Sequence, residues 1–587
     1  MTEENKVVYV GIDLGTTYSS VCARNQQTGQ YDVLQTDFLH YNFPSIVAFT
    51  ASGVKVGDAA VSARAKDTIY EVKRLMGKYN NSEKDDIEKL IGKLQNTVEA
   101  REDGRLGIVI EKTAKGHTKK QNILPEIIST FVLIKLKEMV LKRYPSAKEI
   151  YCVVGVPASF GDSERKATTN AIKMAGMIPM QLVNEPTAAA KAYKIEKGNL
   201  LVYDFGGGTL DISIIKYTQD NGKTKGQVLT SVGDAFLGGN DIDYKIAELL
   251  REKIMTFLLD ELFLEEDEAE ILVQKCARFK KIAEEMKKEM SIERSKKSQA
   301  VVTKEVKDFG VVDEDELDEM EDVEITMKYE EFYNAIEKDI VVKCKELLEK
   351  ALNEVGFGPE QIDKVIMTGG SCKNPFIQEM LIERFGKEKV DTSQADFDLL
   401  VTKGAAIFAN EIGNGIKTLE MGEISMHDIG VMLKDEDDPK KTVNHIVIKK
   451  ETPLPLKKKP TITVTTSEDS MNELTFKITE AGEVKNTLII SDLPQLPSGC
   501  VEIELEFDVK DNGELVVTAT QIEPKPPVKK DEHGKDMEDS KGNPIYEEPK
   551  KNEVKIMPDR RNIIQEKLNE EAERIDKLYN GKIKFWD

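Results

Sequence analysis

LVYDFGGGTLDISII, residues 201–215, sets an apolar run, an aspartate, three glycines and a threonine in immediate succession. Leu200, Leu201 and Val202 read as a buried strand that ends at Asp204. Gly206, Gly207 and Gly208 make a tight turn, and Thr209 opens a second strand. Without Cβ atoms, the backbone N–H groups of such a turn can close on an anion, and the Thr209 hydroxyl adds a donor. Asp204 and Asp211 are placed to accept a cation or its hydration water. Alone, the same stretch reads equally well as a glycine-rich hairpin turn.

A second copy separates the two readings. VVYVGIDLGTTYSS, residues 7–20, repeats the order of apolar strand, aspartate (Asp13), glycine (Gly15) and threonines (Thr16, Thr17). Two such hairpins predict two lobes that clasp one polyphosphate, each supplying one carboxylate to a shared metal. Neither is a Walker A loop, which needs a Gly-Lys-Ser/Thr ending, nor a GxGxxG turn opening a helix.

Composition bounds the rest. A chain of 587 residues holds several domains, each able to bury a core. A formal net charge of −22 argues against a nucleic-acid-binding surface. Cys22, Cys152, Cys276, Cys344, Cys372 and Cys500 are scattered without metal-ligand spacing and read as reduced thiols of an intracellular protein. The polar start MTEENK and the absence of a bilayer-length apolar run predict a cytoplasmic protein with no membrane association.

Along the chain, residues 1 to 60 alternate short strands and turns. Lys73, in IYEVKRLMGK, reads as a solvated lysine, and residues 82–101 as a polar surface helix. Residues 123–144 predict a helix and IYCVVGVP, residues 150–157, a buried strand. Glu185 falls at a strand-to-helix junction, where it is either a helix cap or a site residue. GDAFLGGND, residues 233–241, is a further glycine turn that opens a helical region over residues 243–291. Residues 313–324, DEDELDEMEDVE, carry nine carboxylates and read as a flexible acidic insertion. The strand over residues 365–368 breaks into Gly369, Gly370 and Ser371. Near residue 415 the character changes: KTLEMGEI, residues 417–424, lacks core periodicity and reads as a linker. Period-two strands follow, the clearest being VEIELEFDV, residues 501–509. Residues 524–552 are rich in Lys, Pro, Asp and Glu and read as disordered. A last helix carries the stripe Ile564, Leu568, Ile575 and Leu578, of the kind that core packing explains.

GIDLGTTYS, VKRLMGK, NEPTAAA, YDFGGGTLDISI, GDAFLGGNDID, MTGGS and GAA stand in the order and spacing of the 70-kDa heat-shock chaperone family, which the chain resembles over residues 7–411 closely and to about 522 more loosely. The resemblance implies an α/β actin-like ATPase domain over residues 1–414, two-lobed with a duplicated ribonuclease-H-like core. It further implies an interdomain linker over 415–426 and an all-β sandwich for peptide binding over 427–523. A disordered charged segment (524–557) and a short C-terminal helix, a truncated lid (558–587), complete the organisation.

Carried over by motif, the resemblance implies that Thr16, Thr17 and the glycines Gly206, Gly207 and Gly208 hold the β- and γ-phosphates of ATP or ADP, with Gly15 and Tyr18 also among the nucleotide-binding residues. Asp13 and Asp204 bind Mg²⁺ through waters, with Glu185 close by. Lys73 orients the attacking water, and Thr209 and Asp211 complete a water and K⁺ network. Gly238, Gly239, Glu284, Lys287, Lys288, Ser291, Gly369, Gly370, Ser371, Lys373 and Asp398 hold the adenosine end. Pro157 and Arg165 resemble an interdomain relay, and Leu474 falls at the centre of the peptide pocket, where it reads equally as an inward strand residue. The implied partners are extended apolar segments of unfolded clients, a J-domain cochaperone and a nucleotide exchange factor, with the chain itself a monomer.

Departures from the family pattern qualify this. Lys288 and Lys373 stand where arginine is usual, and an ammonium stacks on adenine less well than a guanidinium. Ser159 and Phe236 replace a tyrosine and a histidine. The family's leucine run before an aspartate is here Leu419, Glu420, Met421, Gly422 and Glu423, with two apolar positions lost. An ATP-driven chaperone is therefore weighed against a nucleotide-loaded holdase or exchange-factor relative, like the 110-kDa heat-shock proteins, with little coupled turnover. A sugar kinase on the same fold is disfavoured by the β-sandwich.

Overall fold

The computed structural model describes residues 7–580 apart from 51–52, 65–66, 81–83, 95, 115–116, 194, 196, 221–222, 261–278, 307–322, 393–396, 417–418, 436–437, 439–440, 455, 510–514, 526–550 and 556–564. In the first lobe, the strand Val7–Asp13 lies parallel to Glu149–Val156 and antiparallel to Tyr18–Arg24. Ile178–Asn184 extends the parallel side and Tyr31–Val33 the other. The unalternated apolar run of Glu149–Val156 follows from cover on both faces. Cys152 and Val154 face the core shared with helices Pro125–Arg143 and Asp162–Met174, whereas Val153 faces helix Leu400–Gly413.

The second lobe repeats this plan. Gly198–Phe205 is parallel to Lys364–Thr368 and antiparallel to Leu210–Asp220, which pairs onward with Lys223–Asp234. One face of this sheet, with Tyr203, Phe205, Ile212 and Ile214, packs on helices Gly239–Asp260, Phe279–Lys296 and Val342–Val355. Its other face, with Leu200, Val202 and Ile215, joins Val153 of the first lobe against the helices Glu185–Tyr193 and Leu400–Gly413. That junction is tight because its residues are small. A Cβ on Gly404 would lie 1.7 Å from the Ala188 carbonyl oxygen, and one on Gly11 would lie 2.0 Å from the Ala406 nitrogen. The close approach brings the C-terminal ends of both central strands to one cleft.

Several expectations change. Residues 82–101 are not one surface helix: the helix Lys84–Lys93 buries Ile87 and Leu90, and the β-branched pair Thr97 and Val98 enters a strand, Thr97–Ala100. The segment read as a linker without periodicity forms the strand Leu419–Ile424, parallel to Lys223–Asp234 and antiparallel to Pro453–Leu454. Strand pairing uses backbone groups, so side-chain periodicity did not announce it. Within the stretch expected to be disordered, residues 551–555 pair with Leu515–Glu523, and residues 526–550 lie outside the described residues. So do most of the acidic insertion and Cys276.

The sandwich stacks two four-stranded sheets. Val501, Ile503, Leu505, Phe507 and Val509 all point into its core against Val431, Phe476, Ile478 and Leu488. The helix Gln565–Tyr579 packs away from it, on the first lobe, with Leu568, Ile575 and Leu578 buried in that lobe's core. Among the described residues no helix is long and apolar enough to cross a membrane, and the described cysteines are free.

Candidate functional site

Both glycine hairpins close in the same register: Asp13 faces Ser20 in the first, and Asp204 faces Asp211 in the second. Their turns meet head to head. A Cβ on Gly207 would lie 2.0 Å from Thr17 Oγ1, and one on Gly208 would lie 2.7 Å from Thr16 Oγ1. The glycines of one lobe thus make room for the hydroxyls of the other. Gly239 and Asn240 donate their backbone N–H groups to the carbonyls of Gly206 and Gly207, and Ser371 Oγ donates to Gly206 O at 2.8 Å. Together these turns line a cavity of about 640 Å³ between the lobes, within the size range of small-molecule sites.

At its floor Lys73 is buried, not solvated. Its ammonium donates to Glu185 Oε1 at 2.6 Å. The short 3₁₀ turn Val72–Leu75 delivers it, and the strand-to-helix junction delivers Glu185. Burial alone would lower Lys73, but Glu185, Asp13 and Asp204 outweigh that and lift it. The aspartates respond in the opposite sense to ordinary carboxylates. Burial and the Glu185 charge push Asp13 up to about 7, against the pull of Lys73. Asp204 is raised well above the carboxylate range by burial and by Glu185, Asp211 and Asp13. Asp211 rises to about 7 from burial and Glu185.

Four carboxylates around one ammonium leave uncompensated negative charge in a dry cleft, and Asp204 Oδ2 is buried without a hydrogen-bond partner among the described residues. A divalent cation resolves both conflicts. Among the described residues no group of three or more acidic, histidine or cysteine side chains closes directly on a metal. The donor set fits a hydrated divalent cation such as Mg²⁺.

All the expected adenosine-end residues but Gly238 line the same cavity. Lys287 Nζ donates to Gly239 O at 2.9 Å and pairs with Asp243 at 2.6 Å. Lys288 pairs with Glu284 at 2.6 Å and lies 5.5 Å from the Tyr18 ring centroid. Lys373 pairs with Asp398 at 2.7 Å, and Ser291 Oγ donates to Asn374 Oδ1 at 3.2 Å. Gly369 has φ +84, and a Cβ there would lie 2.4 Å from the Phe205 carbonyl oxygen. Gly208, Gly238 and Asp211 stand behind the lining rather than in it. Ser159 Oγ is buried without a hydrogen-bond partner among the described residues, while Phe236 lies under Lys78.

The structure adds residues that sequence reasoning missed. Arg74 crosses between lobes, donating Nη2 to Gly208 O at 2.9 Å and pairing with Asp241 and, at 3.1 Å, with Glu71. Burial alone would raise Glu71, but Arg74 and Lys280 hold it at about 2. Asn42 Nδ2 donates to Asp398 Oδ2 at 2.9 Å across the cleft mouth. Arg74 follows Lys73 directly and Asp241 follows the glycine turn, but nothing in their spacing shows that they meet.

Pro157 and Arg165 lie outside the cleft. Pro157 O accepts from Phe160 N–H, and Arg165 donates Nε to Phe160 O at 2.9 Å and Nη2 to Asn184 Oδ1. Asn184 Nδ2 in turn donates to Glu423 Oε2 at 2.9 Å, and Thr187 Oγ1 to Glu423 Oε1 at 2.7 Å. The acid of the linker strand therefore reaches the residues flanking Glu185. Desolvation raises Glu423, opposed by Thr187, Arg165 and Asn184. Gly422 leaves room for Gln227, whose Nε2 donates to Glu423 O at 3.1 Å. Leu474 is far from the cleft in sequence and place, half-buried beside the sandwich core and opposite Ile490.

Two lobes that close glycine and threonine turns over a buried acid–lysine floor have the build of a nucleotide-binding protein. The chain matches the family model described as Hsp70 protein over residues 9–583. It is 30% identical over 529 residues to the chaperone protein DnaK of Stenotrophomonas maltophilia (strain R551-3), covering 87% of this chain and 76% of that protein. The chain belongs to the Hsp70 family. It is an ATP-dependent chaperone and an ATPase, with an actin-like nucleotide-binding domain that binds ATP and ADP, usually with Mg²⁺, and a β substrate-binding domain for unfolded clients.

Proposed function

We propose that ATP is hydrolysed at the floor where Lys73 meets Glu185 between Asp13 and Asp204, and that the docked strand Leu419–Ile424 carries the state of that floor to the sandwich. The buried Lys73–Glu185 pair at 2.6 Å is the observation that carries this reading. Thr16, Thr17 and the Gly206, Gly207 and Gly208 turn hold the β- and γ-phosphates. Lys73 Nζ orients the attacking water and neutralises charge on the γ-phosphate, while Thr209 and Asp211 order the remaining water and a K⁺ ion. Mg²⁺, when bound, offsets phosphate charge and fixes phosphate orientation. Phosphoryl transfer asks mainly for positioning and charge stabilisation, and Asp13, Glu185 and Asp204 hold that metal through waters.

In the same reading, residues 1–414 form the actin-like domain with a duplicated ribonuclease-H-like core, 415–426 the linker and 427–523 the peptide sandwich. The charged segment 524–557 and the C-terminal helix 558–587 follow. Leu474 belongs to the peptide pocket. Clients are extended apolar segments, a J-domain cochaperone and an exchange factor assist, and the protein works as a cytoplasmic monomer.

Single-turnover hydrolysis tests the floor. Lys73→Ala is expected to lose on the order of 10²-fold or more in rate while still binding nucleotide. Wild-type protein that binds ATP but hydrolyses it no faster than Lys73→Ala would sink the assignment. Added apolar peptide is expected to change the wild-type rate, because the linker strand is docked.

A further inference from the structure

Glu71 stands just before the turn that delivers Lys73, and it is held from the opposite lobe. Its backbone is left-handed, with φ +57 and ψ +24, and the short 3₁₀ turn Val72–Leu75 starts from it. A residue with a Cβ keeps that conformation only where its surroundings over-determine it. The turn contributes little of that constraint. Arg74 N–H donates to Glu71 O at 3.1 Å and Met76 N–H to Lys73 O at 3.2 Å, and a single 3₁₀ turn has poor hydrogen-bond geometry.

The Glu71 side chain supplies the rest. It is 3% exposed, and two of its partners come from the second lobe. The Tyr244 hydroxyl donates to Oε1 at 2.9 Å, and Lys280 Nζ donates to the same oxygen. Lys280 Nζ also donates to the Tyr244 hydroxyl at 3.2 Å and lies 4.3 Å from that ring's centroid. Arg74, from the first lobe, pairs with Oε2 at 3.1 Å. Tyr244 belongs to helix Gly239–Asp260 and Lys280 to helix Phe279–Lys296. The first of these helices opens on the phosphate turn, where the N–H groups of Gly239 and Asn240 hold the carbonyls of Gly206 and Gly207. Tyr244 follows Asn240 by one helical turn, on the same face. A continuous line of contacts therefore runs from the glycine turn through Tyr244 to Glu71, and along the chain to Lys73.

We propose, given the role of Lys73 proposed above, that Glu71 is a positioning residue for hydrolysis: held by Tyr244 and Lys280, it keeps the turn Val72–Leu75 in the strained form that carries Lys73 to Glu185. Lys73 is then in place only while the second lobe is closed on the first. When the lobes part, the Glu71 carboxylate loses both second-lobe donors, the left-handed residue relaxes, and Lys73 leaves Glu185. None of Glu71, Tyr244 and Lys280 lines the cleft cavity, so the three act through Lys73 and not on the nucleotide.

Single-turnover hydrolysis and ATP affinity, measured together on the full chain, test this. Lys280→Met keeps an apolar stem against Tyr244 and removes the cation, at a side chain exposed enough (22%) for the fold to tolerate the change. Its rate should fall about 10-fold with ATP affinity unchanged, since displacing a reacting group costs rate and not binding. Lys280→Arg should restore the rate. Glu71→Gly adopts the left-handed turn without strain but lacks the carboxylate, and its rate should fall at least as far. In a Lys73→Ala background, Lys280→Met should cost nothing further, because it acts through that lysine. Three results overturn the proposal: a wild-type rate in Lys280→Met or Glu71→Gly, ATP affinity lost in step with the rate, or an equal further loss in the Lys73→Ala background. Lys73→Ala protein that hydrolyses ATP at the wild-type rate would instead overturn the role of Lys73 itself.

Discussion

Asp13 faces Ser20 across the first hairpin, and Asp204 faces Asp211 across the second, in turns that close in the same register. The first turn carries hydroxyls and the second carries glycines, so they interlock instead of colliding. The second also doubles the acid, and both Asp204 and Asp211 are raised, by burial first and then by the Glu185 charge. The lobes differ again at their outer edges. The third strand of the first sheet is only Tyr31–Val33, whereas that of the second runs over Lys223–Asp234 and accepts the linker strand on its free edge. A repeated strand plan thus builds the cleft, and the departures from the repeat supply its charge and its connection to the sandwich.

The largest test of this asymmetry is Arg74, which reaches from the first lobe to the Gly208 turn of the second. Arg74→Ala removes the cation paired with Asp241 and leaves Glu71 to Lys280 alone in a buried site, so unfolding free energy should fall by about 3–5 kcal/mol. Denaturant melts of the nucleotide-free protein measure it, and a loss below about 1 kcal/mol would show that the lobes close without the crossing.

Making the second hairpin like the first should have the opposite sign. Asp211 is 1% exposed and its pKa is raised to about 7, so the folded chain binds its proton more tightly than the unfolded chain. The resulting penalty is fully present above pH 7 and fades as pH falls toward the unfolded value near 4. Asp211→Ser should therefore stabilise the nucleotide-free protein by roughly 2–4 kcal/mol at pH 8, less at pH 5, and lower hydrolysis. Equal stabilisation at both pH values would mean that the gain comes from packing and not from charge.

The smallest effect concerns the edge. A Cβ on Gly422 would lie 2.2 Å from Gln227 Oε1. Gly422→Ala should displace the Gln227 side chain and cost its hydrogen bond to the linker, about 1 kcal/mol. Stimulation of hydrolysis by peptide is the readout, and it should weaken while basal hydrolysis stays. Unchanged stimulation would separate that hydrogen bond from the coupling.

The glycine hairpins were legible because their features are local: an apolar run, an acid, residues without Cβ and a hydroxyl. The sandwich strand over residues 501–509 was legible for the same reason, since period-two alternation is visible along the chain. Lys73 was not, because a lysine in a short turn becomes buried only when the distant segments carrying Asp13, Glu185 and Asp204 meet around it. Arg74 and Asp241 meet across 167 positions, and no spacing rule links them. The linker strand escaped notice because its docking uses backbone groups, and the residue that seemed a loss, Gly422, makes room for Gln227.

By itself the sequence determined two phosphate-type hairpins, a β-sandwich after residue 415 and an apolar stripe on the last helix, since each is written in the order and period of neighbouring residues. Tertiary structure alone decided that the hairpins interlock, that Lys73 lies among four carboxylates, that Leu419–Ile424 completes the second lobe's sheet, and that Leu568, Ile575 and Leu578 of the stripe pack into the first lobe's core. Each of these depends on desolvation, close approach or an open strand edge, which exist only once distant segments have met.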